Sequence, residues 1–146
     1  MDLDSGKLAE LRIKHLEMLQ TVIGRMSGQG ATLKNYCIIL TTAVSGIAVT
    51  FQKSSAVLLA LLPVTIFALL DAQYLRLERR FRSEFEKVRR EDWGTKPTFE
   101  INGKGPFIWS YLCSLFSWSI AIFYLPLAVL VVVVAYFAGT VYGKPI

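Results

Sequence analysis

Residues 105–143, GPFIWSYLCSLFSWSIAIFYLPLAVLVVVVAYFAGTVYG, contain no charged side chain. As one helix this run would be about 58 Å long at 1.5 Å per residue, although about 20 residues suffice to cross a hydrocarbon core of roughly 30 Å. We therefore expect two parts, an amphipathic helix at 107–118 lying along the headgroups and a membrane span at 119–141. Pro126 falls within that span and is expected to kink it. Two short spans joined by a turn near 124–126 are the alternative.

Two shorter uncharged runs precede this one, at 36–51 and 56–70. Each reaches about 21 residues, enough to cross a bilayer, when the runs are extended to 31–51 and 54–74. The polar residues 52–55 between them suffice for a tight turn, so the two runs are expected to form a transmembrane hairpin. A buried hairpin in a water-soluble protein would explain these two runs alone, but it would not explain the third.

The composition agrees with a small membrane protein. The chain has 146 residues, of which 53% are hydrophobic and 18% are charged, and its mean hydropathy is +0.46. This length allows one domain, and about a quarter of the residues in a typical soluble domain are charged. A disordered chain would be poor in apolar residues. A disulfide scaffold would need more cysteines than Cys37 and Cys113, which both lie in apolar runs.

The basic residues are distributed unevenly around the expected spans. Of the 16 Lys and Arg residues, all but Lys53 and Lys144 lie within 1–34 or 71–106. Three spans place these two segments on the same side of the membrane, and an excess of Lys and Arg marks the cytoplasmic side. We therefore expect a multi-pass protein of a bacterial inner (plasma) membrane with a cytoplasmic N-terminus. The net charge of +5 is interpreted as attraction to the inner leaflet, and no nucleic-acid partner is expected.

The cytoplasmic segments are expected to form a two-helix neck. The first helix, 5–26, and the inward continuation of the second span to residue 90 each carry an apolar stripe at helical spacing. The stripes, which are expected to pack together, are Leu16, Leu19, Ile23 and Met26 on the first helix and Tyr74, Leu77, Phe81, Phe85 and Val88 on the second. Arg12 is assigned to the solvated face. Residues 27–30, SGQG, are expected to break or bend the chain before the first span.

Together these segments define an all-α membrane protein with three transmembrane helices, an interfacial helix and a cytoplasmic two-helix neck. The expected segments are a cytoplasmic amphipathic helix and hinge at 1–30, a transmembrane hairpin at 31–74, a cytoplasmic charged helix and loop at 75–106, the interfacial helix at 107–118, the third transmembrane helix at 119–141 and an outer tail at 142–146.

Two sets of residues in the spans are candidate functional residues. Thr42, Gly46 and Thr50 are spaced four apart, and such a face permits close helix approach and hydrogen bonds between hydroxyls and neighbouring helices. It would serve as an oligomer contact or a pore lining, or it would pack against the second span of the same chain. At the inner end of the hairpin, Asp71 is expected to form an interfacial ion pair with Lys34, because an unpaired carboxylate near lipid is costly.

The sequence contains no pattern typical of a catalytic or metal site. Its only histidine, His15, lies on the first helix and is expected to face solvent or to pack between helices. The two cysteines are far apart and lack the spacing of metal ligands. We therefore expect no enzymatic activity, no metal and no cofactor.

The order of a cytoplasmic helix, a tight two-span hairpin and a long charged helix resembles the SLATT-type membrane effectors that accompany bacterial nucleotide-signalling and anti-phage systems. The resemblance is carried by residues 16–26, by the hairpin 31–74 and by LDAQYLRLERR at 70–80. Residues 15–18, HLEM, are also similar to the opening of uncharacterised small bacterial proteins. The third span is additional to the two-span pattern. The resemblance implies a pore-forming or membrane-disrupting effector that a partner restrains or triggers.

We therefore expect a small oligomeric inner-membrane protein that perturbs the membrane or forms a pore in a bacterial defence or stress system. Its partners would be the lipid bilayer, further copies of itself and a cytoplasmic protein that controls it. The alternative is a membrane anchor or scaffold that conducts no ions and recruits a cytoplasmic partner.

Overall fold

The computed structural model of the protein describes residues 4–99 and 107–142. These residues form helices and their connections, with no strand among them, which confirms the all-α class. The elements are α1 (Ser5–Thr50), α2 (Ser54–Val57), a 3-10 turn (Leu58–Ala60), α3 (Leu61–Arg90), α4 (Phe107–Leu115) and α5 (Trp118–Tyr142). Two predicted segments, the end of the loop at 100–106 and the tail residues 143–146, lie outside the described residues.

Helix α1 runs without interruption through residues 27–30, so the predicted break at this place is wrong. A glycine inside a helix costs only about 1 kcal/mol relative to alanine, and contacts with α3 along most of α1 offset that cost. Helix α1 is about 69 Å long at 1.5 Å per residue, more than twice the thickness of a hydrocarbon core. One continuous helix therefore joins the N-terminal part of the neck to the first span.

The hairpin turn begins with a left-handed residue at the end of α1. Gln52 has a φ of 55°. Its N–H donates to the carbonyl of Val49 at 2.9 Å, and the Lys53 N–H donates to the carbonyl of Ala48 at 3.1 Å. This pair of bonds is the Schellman arrangement, which satisfies carbonyls that a helix end leaves open. Helix α2 then starts at Ser54, so the connection between the spans is tight.

The second apolar segment changes its helical geometry before Pro63. The 3-10 turn at Leu58–Ala60 separates α2 from α3, and Pro63 lies in the first turn of α3. Proline lacks an N–H and is tolerated in the first turn of a helix, which explains why the regular α-helix begins only here. From this point α3 continues to Arg90, well beyond the apolar run.

The longest of the three uncharged runs, as far as the structure describes it, forms a short helix followed by a long one. The short helix α4 ends at Leu115, three residues before the predicted end at 118, and α5 begins at Trp118. Helix α5 passes through Pro126 without a break and is about 37 Å long at 1.5 Å per residue. The alternative of two short spans with a turn at 124–126 is therefore wrong.

The helices pack together through a mixture of small and larger side chains. One core cluster contains Cys37 and Ala72 with Val64, Ile120 and Tyr124, and a second contains Ala48 and Ala60 with Val57 and Val131. Small residues at these contacts let helix backbones approach closely, which is typical of helix packing in membranes.

The outside of this three-helix unit is apolar. Large aliphatic side chains such as Ile39, Ile47, Leu62 and Leu125 are exposed. Within residues 4–99 and 107–142, three helical segments are long and apolar enough to cross a bilayer, at Ser5–Thr50, Ser54–Arg90 and Trp118–Tyr142. Only 17%, 28% and 17% of their most apolar windows is buried inside the protein, so most of this apolar surface is exposed, as is typical of a membrane protein. The three helices indicate a multi-pass membrane protein.

Candidate functional site

Arg12 joins the two helices of the neck. Its side chain is fully buried, so the prediction of a solvated Arg12 is wrong. Nη1 donates to the carbonyl of Val88 at 3.2 Å and to Oε2 of Glu91 at 2.7 Å. Nη2 donates to the carbonyls of Asp92 at 2.8 Å and Thr95 at 3.1 Å. The guanidinium thus donates hydrogen bonds to carbonyls at and just beyond the C-terminus of α3. The partial negative charge of a helix C-terminus favours a cation at this place.

A signal for this role of Arg12 was present in the sequence. Position 12 continues the four-residue spacing of the apolar stripe backward from Leu16, so the same helix face carries both residues. The charge of Arg12 favoured the solvated face and masked this signal.

The residues of the predicted neck stripes are buried or partly buried. Leu19 and Val88 are buried. The other members are partly buried, namely Leu16, Ile23, Met26, Tyr74, Leu77, Phe81 and Phe85. The contact is incomplete in the middle, where a cleft of about 630 Å³ is lined by Ile23, Gly24, Arg82 and Phe85. Helices α1 and α3 are therefore joined at the Arg12 end and leave a cleft between them nearer the apolar segments.

His15 lies one turn beyond Arg12 and is almost completely buried. Its ring centroid is 5.3 Å from that of Phe99, so it packs within the neck instead of facing solvent. Its two ring nitrogens have no hydrogen-bond partner among residues 4–99 and 107–142.

Lys34 and Asp71 come together at the point where α1, α3 and α5 meet. Lys34 Nζ lies 2.6 Å from Oδ2 of Asp71, and the two side chains are 24% and 5% exposed. The ammonium also lies 5.9 Å from the centroid of the Phe123 ring, within reach of a cation–π attraction. The buried hydroxyl of Tyr124 lies close to the same carboxylate. The ion pair thus joins α1 to α3, and Phe123 of α5 lies beside its cation.

A polar cavity of about 260 Å³ lies beside this ion pair. Besides Lys34 and Asp71 it is lined by Ser27, Glu78 and Ser119, among other residues. In the part of the chain that the structure describes, no three side chains of the His, Cys, Asp and Glu types are arranged to hold a metal ion.

The side chain of Asp71 fits closely against α1 at Gly30. A Cβ atom added at Gly30 would lie 3.0 Å from Oδ1 of Asp71, whereas one added at Gly28 would meet nothing within 4 Å. We expect Gly28→Ala to stabilise the protein by about 0.5–1 kcal/mol, because alanine is the better helix former. Gly30→Ala should lose this gain, because the new methyl displaces a carboxylate that Lys34 holds in place. Thermal unfolding in detergent measures both variants, and an equal gain at the two positions would contradict the close fit.

The Thr42, Gly46 and Thr50 face points away from the core. All three residues are exposed, and the Thr50 hydroxyl donates to the Gly46 carbonyl at 2.8 Å. A Cβ atom at Gly46 would meet nothing within 4 Å, so Gly46 does not pack against α3 of its own chain. Thr42 and Gly46 line a shallow groove of about 340 Å³ whose other wall is formed by α5, through Leu127 and Leu130 among others.

Comparison of the chain with protein-family models, with characterised proteins and with solved structures finds no match. Its function is therefore argued from its own residues.

Proposed function

We propose that this protein is a small effector of a bacterial inner membrane that self-associates through its spans and makes the bilayer leaky. Its N-terminus and neck lie in the cytoplasm, where a protein partner restrains or triggers it. The uneven distribution of Lys and Arg supports this orientation, and the resemblance to SLATT-type effectors supports a role in defence or stress.

The observation that carries the proposal is the open groove between α1 and α5. It combines an exposed glycine with the hydroxyl of Thr42, in a segment surrounded by apolar surface. Glycine lets a second helix approach closely, and a hydroxyl in lipid gains from a hydrogen bond to that helix. A helix from a second copy of the chain fits these requirements.

Leakage would require several copies, because the three long helices of one chain pack around small side chains. In an assembly, the hydroxyls of Thr42, Ser45 and Thr50 provide polar groups for a water-filled path between chains. The continuity of α1 links this event to the neck. A rotation of the cytoplasmic half of α1 is transmitted to the groove without a hinge between them.

Gly46→Leu tests the assembly step. A leucine starts in open space, because a Cβ atom at position 46 meets nothing within 4 Å, but its side chain occupies the groove and should weaken self-association by at least about fivefold. Crosslinking in vesicles measures the oligomers, and release of a trapped dye measures leakage. Both should fall together in the variant.

Ala43→Leu is the matched control, because Ala43 is exposed on α1 but does not line the groove. Its oligomers and leakage should equal those of the unchanged chain. Full leakage by Gly46→Leu, or an equal loss in the control, would contradict the proposal.

The second candidate function is a membrane anchor that recruits a cytoplasmic partner without conducting ions. The partly open neck favours it, since the cleft beside Phe85 offers apolar and charged groups to a binding protein. Under this alternative, dye stays trapped under all conditions, and replacing Phe81 or Phe85 abolishes partner binding while the groove variants have no effect.

A further inference from the structure

The outward side of α4 and the turn after it carry large aromatic side chains. Trp109, Phe116 and Trp118 are 76%, 81% and 79% exposed. The Tyr111 hydroxyl donates to the Leu69 carbonyl at 3.0 Å, which holds α4 against α3 near the end of the apolar run. Aromatic side chains at this level of a membrane protein lie at the boundary between headgroups and acyl chains.

A cluster of arginines lies on α3 beside the same helix. Arg76, Arg79 and Arg80 are three and four residues apart and so share one helix face. Arg79 Nη2 donates to the Ser117 hydroxyl at 2.7 Å, between Phe116 and Trp118 in the chain. Arg76 is only 3% exposed, so Arg79, which is exposed, and Arg80, which is partly exposed, are the members of this face that reach the surface.

We propose that Arg79 and Arg80 bind the phosphate of an anionic phospholipid in the inner leaflet, with its acyl chains beside the exposed aromatic residues of α4. Guanidinium groups bind phosphate oxygens through paired N–H donors. The exposed aromatic side chains next to the arginines can contact acyl chains. A lipid provides such chains and a free anion does not. The inference rests on the membrane placement of the proposed function but not on leakage.

The test uses the full chain purified in a neutral detergent. Native mass spectrometry compares retention of phosphatidylglycerol with that of phosphatidylcholine carrying the same acyl chains. The unchanged chain should prefer phosphatidylglycerol. Arg79→Gln with Arg80→Gln should weaken its binding by roughly twentyfold, or about fivefold for each arginine, and leave phosphatidylcholine unaffected.

Arg89→Gln with Arg90→Gln is the matched control. It removes the same charge from exposed positions near the end of α3, where both arginines pair with Glu86. Arg79→Lys with Arg80→Lys keeps the charge and should keep the preference. Ser117→Ala removes a hydrogen bond but no cation, and it should keep the preference too.

Three results would overturn the proposal: no preference in the unchanged chain, an equal loss in the Arg89 and Arg90 control, or displacement of the lipid by an equal concentration of inorganic phosphate. The last would assign the cluster to free phosphate. If the chain binds the anionic lipid preferentially but does not release dye from vesicles, the lipid site stands and the proposed leakage is wrong. The two proposals can therefore fail separately.

Discussion

Arg12→Met is expected to open the cytoplasmic neck while the spans stay folded. Methionine occupies a similar volume but offers no donors, so the carbonyls of Val88, Asp92 and Thr95 each lose a hydrogen bond. Glu91 loses its cation as well, at an N–O distance of 2.7 Å. Leaving such groups unpaired costs about 2–4 kcal/mol, and the lower part of that range applies where water reaches the partly exposed Glu91.

The expected loss is local, because the hydrogen bonds of Arg12 to other described residues go to the end of α3 and to the residues just after it. Hydrogen exchange of the backbone amides at 86–95 measures it directly, and a loss of about 2 kcal/mol corresponds to roughly 30-fold faster exchange. Amides of α5 should exchange at their original rates.

Arg25→Met is the control for this prediction. Arg25 lies on the same helix but is exposed, so its replacement should leave exchange at 86–95 unchanged. Arg12→Lys should fall between the two, because an ammonium keeps the charge but lacks the planar pair of donors. If Arg12→Met exchanges no faster than Arg25→Met, the guanidinium does not hold the neck together.

The sequence predicted the parts of this fold that depend on one strong requirement. Uncharged runs must be long enough to cross lipid, and charges must stay at their ends or be paired. That requirement alone located the three long apolar helices, and it singled out Lys34 and Asp71, which the structure places 2.6 Å apart.

The errors arise where tertiary contacts compete with local preference. Two glycines at 28 and 30 favour a break, but α1 continues because its contacts with α3 outweigh their helix propensity. Arg12 continues the apolar stripe of α1, but its partners are carbonyls at 88–95, and the residues of α1 do not identify those partners. The spacing of Thr42, Gly46 and Thr50 identified a helix face without indicating the direction in which it points.

Single replacements of Lys34 and of Asp71 should both lower the stability of the three-helix unit, but by unequal amounts. Lys34→Met is expected to destabilise the three-helix unit by about 3–5 kcal/mol, because it leaves a carboxylate that is only 5% exposed without a cation. Asp71→Leu should cost less, since the Lys34 side chain is 24% exposed and can extend its ammonium toward the headgroups. The double variant should recover most of the loss, because it leaves no unpaired charge between the helices.

Thermal unfolding in detergent measures these differences, and about 3 kcal/mol corresponds to a fall in Tm of roughly 6–12 °C. The pair of Glu10 and Lys14 on α1 provides the control, because its side chains are 65% and 60% exposed and joined at 3.1 Å. Lys14→Met should change stability by less than about 0.5 kcal/mol. A Lys34→Met variant as stable as Lys14→Met would mean that water or another group replaces the lysine, and the three helices would then not depend on this pair. A double variant no more stable than Lys34→Met would instead assign the loss to packing, because restoring charge balance would have recovered nothing.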